Sequence, residues 1–287
     1  MKTIKTIFVT GAIGNQGGAV AESLLKNGFK LKALTRNPAS VRAQNLINRN
    51  VEVVKGDLSE LNTFQNHLKD VDGIFSVQSF ENGADMEIRQ GINLADMAKE
   101  YGVDHFLYSS VAGADLNTGI PHFDSKLKIE NHIRQIGLPY TVIRPTSLFE
   151  NFLLPQVKSR IVKGKLTSPI NRDKIQQFIS AVDIGEISAD IFLNKDKYLG
   201  KTIILGAEEM NMQQVANIFS EVLEIEIKYQ KLPMPIVRFV MGKDLYKMFK
   251  WINENDAVLM KDLVTFKKEN LNLLSLKQWI KLNFKTK

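Results

Sequence analysis

In the segment PHFDSK, residues 121–126, His122 and Lys126 stand four positions apart, so on a helix their side chains share one face. With Tyr in place of the His, that spacing makes a proton donor for carbonyl reduction, because the ammonium lowers the phenol's pKa. The imidazole changes the chemistry. A neutral imidazole is a very weak donor, and an imidazolium beside Lys126 is opposed by like-charge repulsion. His122 is thus a poor substitute for Tyr as a general acid, and a structural hydrogen bond at a helix start accounts for it at least as well. Lys126 needs no such partner, since a Lys facing a phosphate-and-ribose ligand binds it without catalysing anything. The run DHFLYSS, residues 104–110, supplies a third group. If its strand ends at Tyr108, Ser109 or Ser110 points into the same cleft and can bond a substrate carbonyl. Ser109, His122 and Lys126 are the candidate catalytic set.

A second constellation lies near the start of the chain. In VTGAIGNQGGAV, Gly11, Gly14 and Gly17 follow an apolar strand and open a helix. Glycines there permit a tight turn, close approach of backbone N–H groups to a pyrophosphate, and close packing of helix on strand, while the helix N-terminus favours the anion. The end of the next strand discriminates between cofactors. An acid there accepts bonds from a ribose 2′-OH, whereas an Arg pairs with a 2′-phosphate. The sequence reads LTRNP, placing Arg36, with Asn37 beside it, at that point; NADP(H) is therefore expected over NAD(H). Asp57 in VKGDL ends the third strand, where it would either bond an adenine amino group or cap a helix. Val77, Gln78 and Ser79 in SVQSF end the fourth, and in the usual doubly wound order would pass under the ribose nearest the nicotinamide.

These groups need a scaffold that brings strand ends together. Short β-branched runs (KTIFVTG, FKLKALTR, NVEVVKGD, DGIFSVQS, DHFLYSS, PYTVIRP) alternate with helical patterns at 14–27, 38–48, 59–69, 84–101 and 122–136. That rhythm predicts an α/β fold with a doubly wound, parallel Rossmann sheet. Gly28, Gly102 and Gly137 each follow a helical run, where a C-terminal cap needs positive φ. After Pro145 the rhythm breaks. NFLLPQVKSRIVKGK looks helical, Asp183 is placed to cap a helix in SAVDIGEISADIFL, KTIILG is a short strand, and Ser275 with Gln278 forms a capping-box pattern. The reading is an NADP-binding domain over 1–150, completed by part of 176–206, and a smaller, mostly helical C-terminal subdomain over 151–175 and 207–287 for substrate or partner.

The 287 residues, 44% hydrophobic and 24% charged, suit a globular chain with a full core. No apolar run reaches the roughly 18 residues a membrane span needs, and the start is too short in apolar residues for a signal peptide, so a cytoplasmic location is expected. Zero Cys excludes disulfides, thiolate zinc sites and a cysteine nucleophile, and four scattered His give a metal site no support. The net charge of +7 arises after residue 150, where 22 basic residues meet 15 acidic ones, against 16 and 16 before it. Dispersed Lys without interleaved aromatics or a recognition-helix motif argue against direct nucleic-acid binding.

The segments VTGAIGNQGGAV, LTRNP, VVKGDL, HFDSK, GLPYTVIRPTSLFEN, SAVDIG and LSLKQW together resemble the NmrA-like group of atypical short-chain dehydrogenase/reductases over nearly the whole chain. The resemblance implies that residues Gly11, Ala12, Ile13, Gly14, Asn15 and Gln16 hold phosphates with Arg36, and that Asp57 and Leu58 meet the adenine. It further implies that Lys126 lies near the nicotinamide ribose and that Leu148, Phe149, Glu150 and Asn151 line the nicotinamide end. Its members divide between NADPH-dependent quinone or related reductases and redox sensors or co-regulators that bind a dinucleotide and a protein partner. Reduction of a quinone or other conjugated acceptor demands little of a protein acid, because the product is a stabilised anion that solvent can protonate. With a weak acid at 122, such an acceptor, small and apolar or aromatic, is the expected substrate; the alternative is a non-catalytic NADP(H) sensor acting through a protein partner.

Overall fold

The computed structural model describes residues 4–270 and 272–284. Its first part alternates as β1 (Thr6–Val9), α1 (Asn15–Lys26), β2 (Lys30–Thr35), α2 (Val41–Ile47), β3 (Glu52–Lys55), β4 (Gly73–Ser76), α3 (Ala84–Glu100), β5 (His105–Ser109), α4 (Pro121–Gln135) and β6 (Tyr140–Pro145). After these come β7 (Ser147–Leu148), α5 (Pro155–Ile161), β8 (Lys165–Ser168), β9 (Ile175–Ile179), α6 (Ala181–Leu193), α7 (Lys195–Tyr198) and β10 (Thr202–Leu205). The remainder is β11 (Glu208–Asn211), α8 (Met212–Leu223), β12 (Lys228–Lys231), α9 (Met234–Val240), α10 (Gly242–Glu254), α11 (Leu263–Glu269) and α12 (Leu276–Asn283). The chain divides into two compact units: one holds the residues up to Leu116 with Pro121–Arg144 and Ile184–Ile203, the other Asn117–Ile120, Pro145–Asp183 and everything from Ile204.

The main sheet has the order β10-β6-β5-β4-β1-β2-β3, and β1 to β6 pair in parallel. The chain steps outward from β1 to β3 and then returns past β1 to β4. The order therefore reverses between β1 and β4, and at such a reversal ligands bind beyond the carboxyl ends of the strands. Apolar side chains on both faces explain the parallel pairing. Phe8, Ile74, Phe106, Tyr108 and Val142 pack with Leu94 and Ala98 of α3 and Ile129 and Ile133 of α4, each large side chain contributing about 2 to 3 kcal/mol by burial. On the other face Phe192 of α6 covers Gly73, where a Cβ would lie 2.9 Å from its ring.

Gly28, Gly102 and Gly137 take φ of +82°, +67° and +64°, as helix-terminating glycines should. The expected helix at 59–69 is absent. Two 3-10 turns, Leu61–Thr63 and Gln65–Leu68, take its place, separated by Phe64 at φ −137°. The cause is local competition: Thr63 Oγ1 donates to Glu60 O at 2.6 Å and accepts from Asp57 N at 3.0 Å, which favours a turn over a helix. Asp183 is not a cap either. Ser180 Oγ accepts from Asp183 N, and the Asp183 carboxylate instead accepts from Leu274 N.

The second unit contains α5 and α8 to α12 with two small sheets, β11-β9-β7 and β12-β8. A subdomain expected to be mostly helical thus also contains strands; α5 stops at Ile161, and Gly164 at φ +78° turns the chain into β8. Its core gathers Phe149, Phe152, Phe178, Phe219, Trp279 and Phe284, and the Ser275–Gln278 capping box starts α12. Phe249 and Trp251 are half-buried against this core. No described helix is long and apolar enough to cross a membrane, and no group of three or more His, Asp or Glu among the described residues is placed to hold a metal.

Candidate functional site

The glycine turn after β1 has a shape that side chains would destroy. Gly11 sits at φ +61°, and a Cβ there would lie 2.9 Å from Val77 Cγ1. Gly14 N donates to Gly11 O at 2.8 Å, closing the turn. A Cβ on Gly17 would approach Gly11 O to 2.4 Å, so only glycine fits. Gly14 then caps α1 without a side chain, and the first turn of α1 carries no acid. The backbone N–H groups of that turn and the positive end of the helix dipole are left for an anion. Ala12 is buried beneath the turn, while Gly11, Gly14 and Asn15 are exposed. The cradle fits a dinucleotide pyrophosphate on its own geometry.

Around it the elements place the other candidates. Thr10 Oγ1 accepts from Val77 N at 2.8 Å and donates to Val77 O at 3.0 Å, locking the end of β4 to the end of β1. Gln78 is buried; its Nε2 donates to Ser76 Oγ at 2.9 Å, and its Oε1 meets no donor among the described residues. Ser79 is exposed and its Oγ accepts from Glu81 N. Arg36 is exposed at the end of β2. Asn37 Oδ1 accepts from Ala39 N, a turn closing onto α2. Asp57 starts no helix; its carboxylate accepts from Ser59 N at 2.8 Å in an Asx turn. That backbone bond, with help from the Arg36 charge, holds its pKa below the usual carboxylate value against the effect of burial. Leu58 is buried and its carbonyl accepts from Asn93.

The three catalytic candidates are engaged with three different partners. Ser109, the last residue of β5, donates from Oγ to Gln16 Oε1 at 2.7 Å, tying this strand end to the glycine turn. His122 stacks on Phe80 with ring centroids 4.6 Å apart and meets Phe123 edge-on. Lys126 Nζ lies 2.8 Å from Glu87 Oε1. The phenol of Tyr108 offers no replacement acid: full burial, followed by the charges of Glu87 and Glu130, pushes its pKa well above its ordinary value. In the second unit, Leu148 pairs with Ile179, and Phe149 is buried against Phe178 and Trp279. Glu150 accepts from Trp279 Nε1 and Ala181 N, both at 2.9 Å, and Asn151 is exposed. The Phe149 and Glu150 side chains thus serve that unit's core, whereas Leu148 is half-buried and Asn151 exposed.

Two residues at the site escaped the sequence reading. Arg42 Nη1 donates to Ile13 O at 2.6 Å, bringing a cation onto the glycine turn. Its signal was a cation in the first turn of a helix, where the dipole disfavours it. Glu87 is fully buried against Lys126. Its signal was an acid on the otherwise apolar stripe Gly91, Leu94, Ala95 and Ala98.

The architecture is similar to that of known proteins. A triphenylmethane reductase of Citrobacter sp. in complex with NADP(H) superposes with a TM-score of 0.81, at 22% identity, covering 96% of this chain and 99% of that one. An NADPH-dependent quinone oxidoreductase of Escherichia coli in complex with NADPH gives 0.80, at 23% identity, covering 97% and 100%. In sequence, an NmrA-like family domain-containing protein of Dictyostelium discoideum is 31% identical over 241 residues, 79% of this chain and 80% of that protein. The model of the NmrA-like family matches residues 3–277, and the chain belongs to that family.

Proposed function

We propose that this protein binds NADP(H) and reduces quinone-like or other conjugated acceptors. The observation that carries the reading is the glycine turn, whose steric limits at Gly11 and Gly17 reserve the start of α1 for a phosphate group, with Arg36 at the end of the neighbouring strand. The turn would hold the pyrophosphate, Arg36 the 2′-phosphate with Arg42 close by, and the ends of β4 and β5 the second nucleotide. Bound NADPH supplies a hydride. Lys126 lies on α4, which the Phe80–His122 stack joins to the segment after β4, on the side of the strand-order reversal away from Arg36; this supports a contact to the nicotinamide ribose.

The same geometry supports the choice of a conjugated acceptor. Ser109 is bonded to Gln16, and His122 stacks on Phe80 and meets Phe123 edge-on, so neither candidate is set up as a strong acid for a simple ketone. An acceptor whose reduced form is a stabilised anion takes its proton from water. The test is purified protein with NADPH and a panel of quinones and simple ketones, following loss of cofactor absorbance. Turnover of quinones and not of ketones is expected. Saturable NADPH binding with no turnover of any acceptor would replace the enzyme reading with a cofactor-ratio sensor. Arg36→Asp should invert the preference between NADPH and NADH, and an unchanged preference would remove Arg36 from the site.

A further inference from the structure

Glu87 stands in the first turn of α3 on a buried helix face. A buried acid persists only where cations or hydrogen-bond donors meet it, and α4 brings both. A Cβ on Gly91 would lie 2.5 Å from Ile129 Cδ1, so the two helices approach closely about one turn along from Glu87 and from Lys126. At that approach Lys126 Nζ is 2.8 Å from Glu87 Oε1, and Ser125 Oγ donates to Glu87 Oε2. The Glu87 side chain is fully buried and that of Lys126 is 10% exposed, so solvent screens this pair weakly.

We propose that Glu87 is a positioning residue for the dinucleotide: it holds the Lys126 ammonium at the nicotinamide end and cancels its charge, so that the site accepts oxidised and reduced cofactor alike. The inference rests on the NADP(H) reading above. The two redox forms differ by one positive charge on the nicotinamide ring, so their relative affinity reports the electrostatics next to that ring. An uncompensated Lys126 repels the oxidised form. An uncompensated Glu87 favours it. A group that served only to hold the helices together would change both affinities by one factor, because packing does not distinguish the redox states.

The experiment measures Kd for NADP+ and for NADPH by calorimetry on wild type, Glu87→Gln, Lys126→Met and the double variant, with a melting curve on each. In Glu87→Gln the ratio of the NADP+ to the NADPH constant should rise about tenfold over wild type, given one unscreened charge at close range. In Lys126→Met the ratio should fall, and in the double variant it should return to the wild-type value. Replacing both members of a buried pair is tolerated better than replacing one; if Glu87→Gln does not fold, Lys126→Met against the double variant carries the same test. A ratio unmoved in Glu87→Gln, or moved in the same direction by both single substitutions, overturns the role of Glu87 and leaves the cofactor reading standing. Wild-type protein that binds neither form overturns the cofactor reading and this inference with it.

Discussion

Glu130 on α4 and Glu150 after β7 are both buried, and both carry hydrogen bonds on each carboxylate oxygen. Glu130 accepts from Arg144 Nε at 2.9 Å and Nη2 at 2.8 Å, and from Arg134 Nη2 at 2.7 Å. Glu150 accepts from the Trp279 indole and the Ala181 amide. Their pKa values move in opposite directions. Burial raises both, but the Arg144 hydrogen bonds and charge outweigh it at Glu130 and lower the result, whereas the neutral donors at Glu150 do not, and its pKa stays raised. Asp183, whose donors are the Ser180 hydroxyl and the Ser180 and Leu274 backbones, is pushed by burial up to about 6, with the Glu150 charge adding to the effect. At Glu150 and Asp183 the neutral donors satisfy the acceptor's geometry without offsetting burial, whereas at Glu130 the bonds and charge of a cation do offset it. In the first unit Glu130 meets Arg144 and Glu87 meets Lys126, while the second ties its α12 to the turn after β7 through Glu150, which meets neutral donors only among the described residues.

The contrast breaks most visibly at Glu130. Glu130→Gln leaves Arg144 buried with Asp115 as its one anionic partner among the described residues, and should cost about 3 to 5 kcal/mol in urea unfolding, as expected for half of a buried ion pair. Because the folded pKa of Glu130 lies below its ordinary value of 4.5, its stabilisation is present above that pH and lost as pH falls through the folded value. The variant should lack that acid-side loss. Asp183 has the reverse sign. Its folded pKa is raised, so the fold loses stability from this group as pH climbs from 3.8 to about 6. Asp183→Asn should remove this slope, about 2 to 3 kcal/mol across the window, measured as the difference between variant and wild type at each pH. A difference that is flat with pH would mean that Asp183 is solvated in the folded protein.

How far the sequence foretold these sites depends on the range of the forces. The glycine turn was legible because Gly11, Gly14 and Gly17 answer to backbone sterics within seven residues, and the strands of the main sheet because β-branched runs repeat locally. The ties between distant elements were not. Ser109 and Gln16 are 93 residues apart and Glu87 and Lys126 are 39 apart, and no local pattern records either pairing. The two 3-10 turns at 61–68 were missed because the Thr63 hydroxyl competes with the backbone. Strands β11 and β12, EEMN and KYQK, lack the apolar alternation of strands that bury a face, and they formed only because partners lay beside them. The Tyr missing at 122 was legible at once, but the stack with Phe80 that now occupies the imidazole required the fold.

Glu150→Gln sharpens the comparison by repeating the Glu130 substitution where no cation is left behind. The amide keeps one acceptor and turns an NH2 group towards the other donor, so the expected cost is about 1 to 2 kcal/mol. A cost equal to that of Glu130→Gln would erase the distinction between neutral and charged partners.

The smallest effect is expected at Arg134, and it isolates solvent as the remaining variable. Arg134 Nη2 bonds the same Glu130 oxygen as Arg144 Nη2 does, and it also donates to Thr202 Oγ1 at 3.0 Å. Its side chain is 32% exposed, against 6% for Arg144, so water can take its place on the carboxylate. Arg134→Ala should then cost no more than about 1 kcal/mol, as exposed pairs do, and the cost should shrink as salt is added. The acid-side loss of stability from Glu130 should persist in this variant, because Arg144 remains. If Arg134→Ala instead matched Glu130→Gln in unfolding free energy, the carboxylate would need both guanidinium groups, and burial alone would not decide which of its partners compensates the charge.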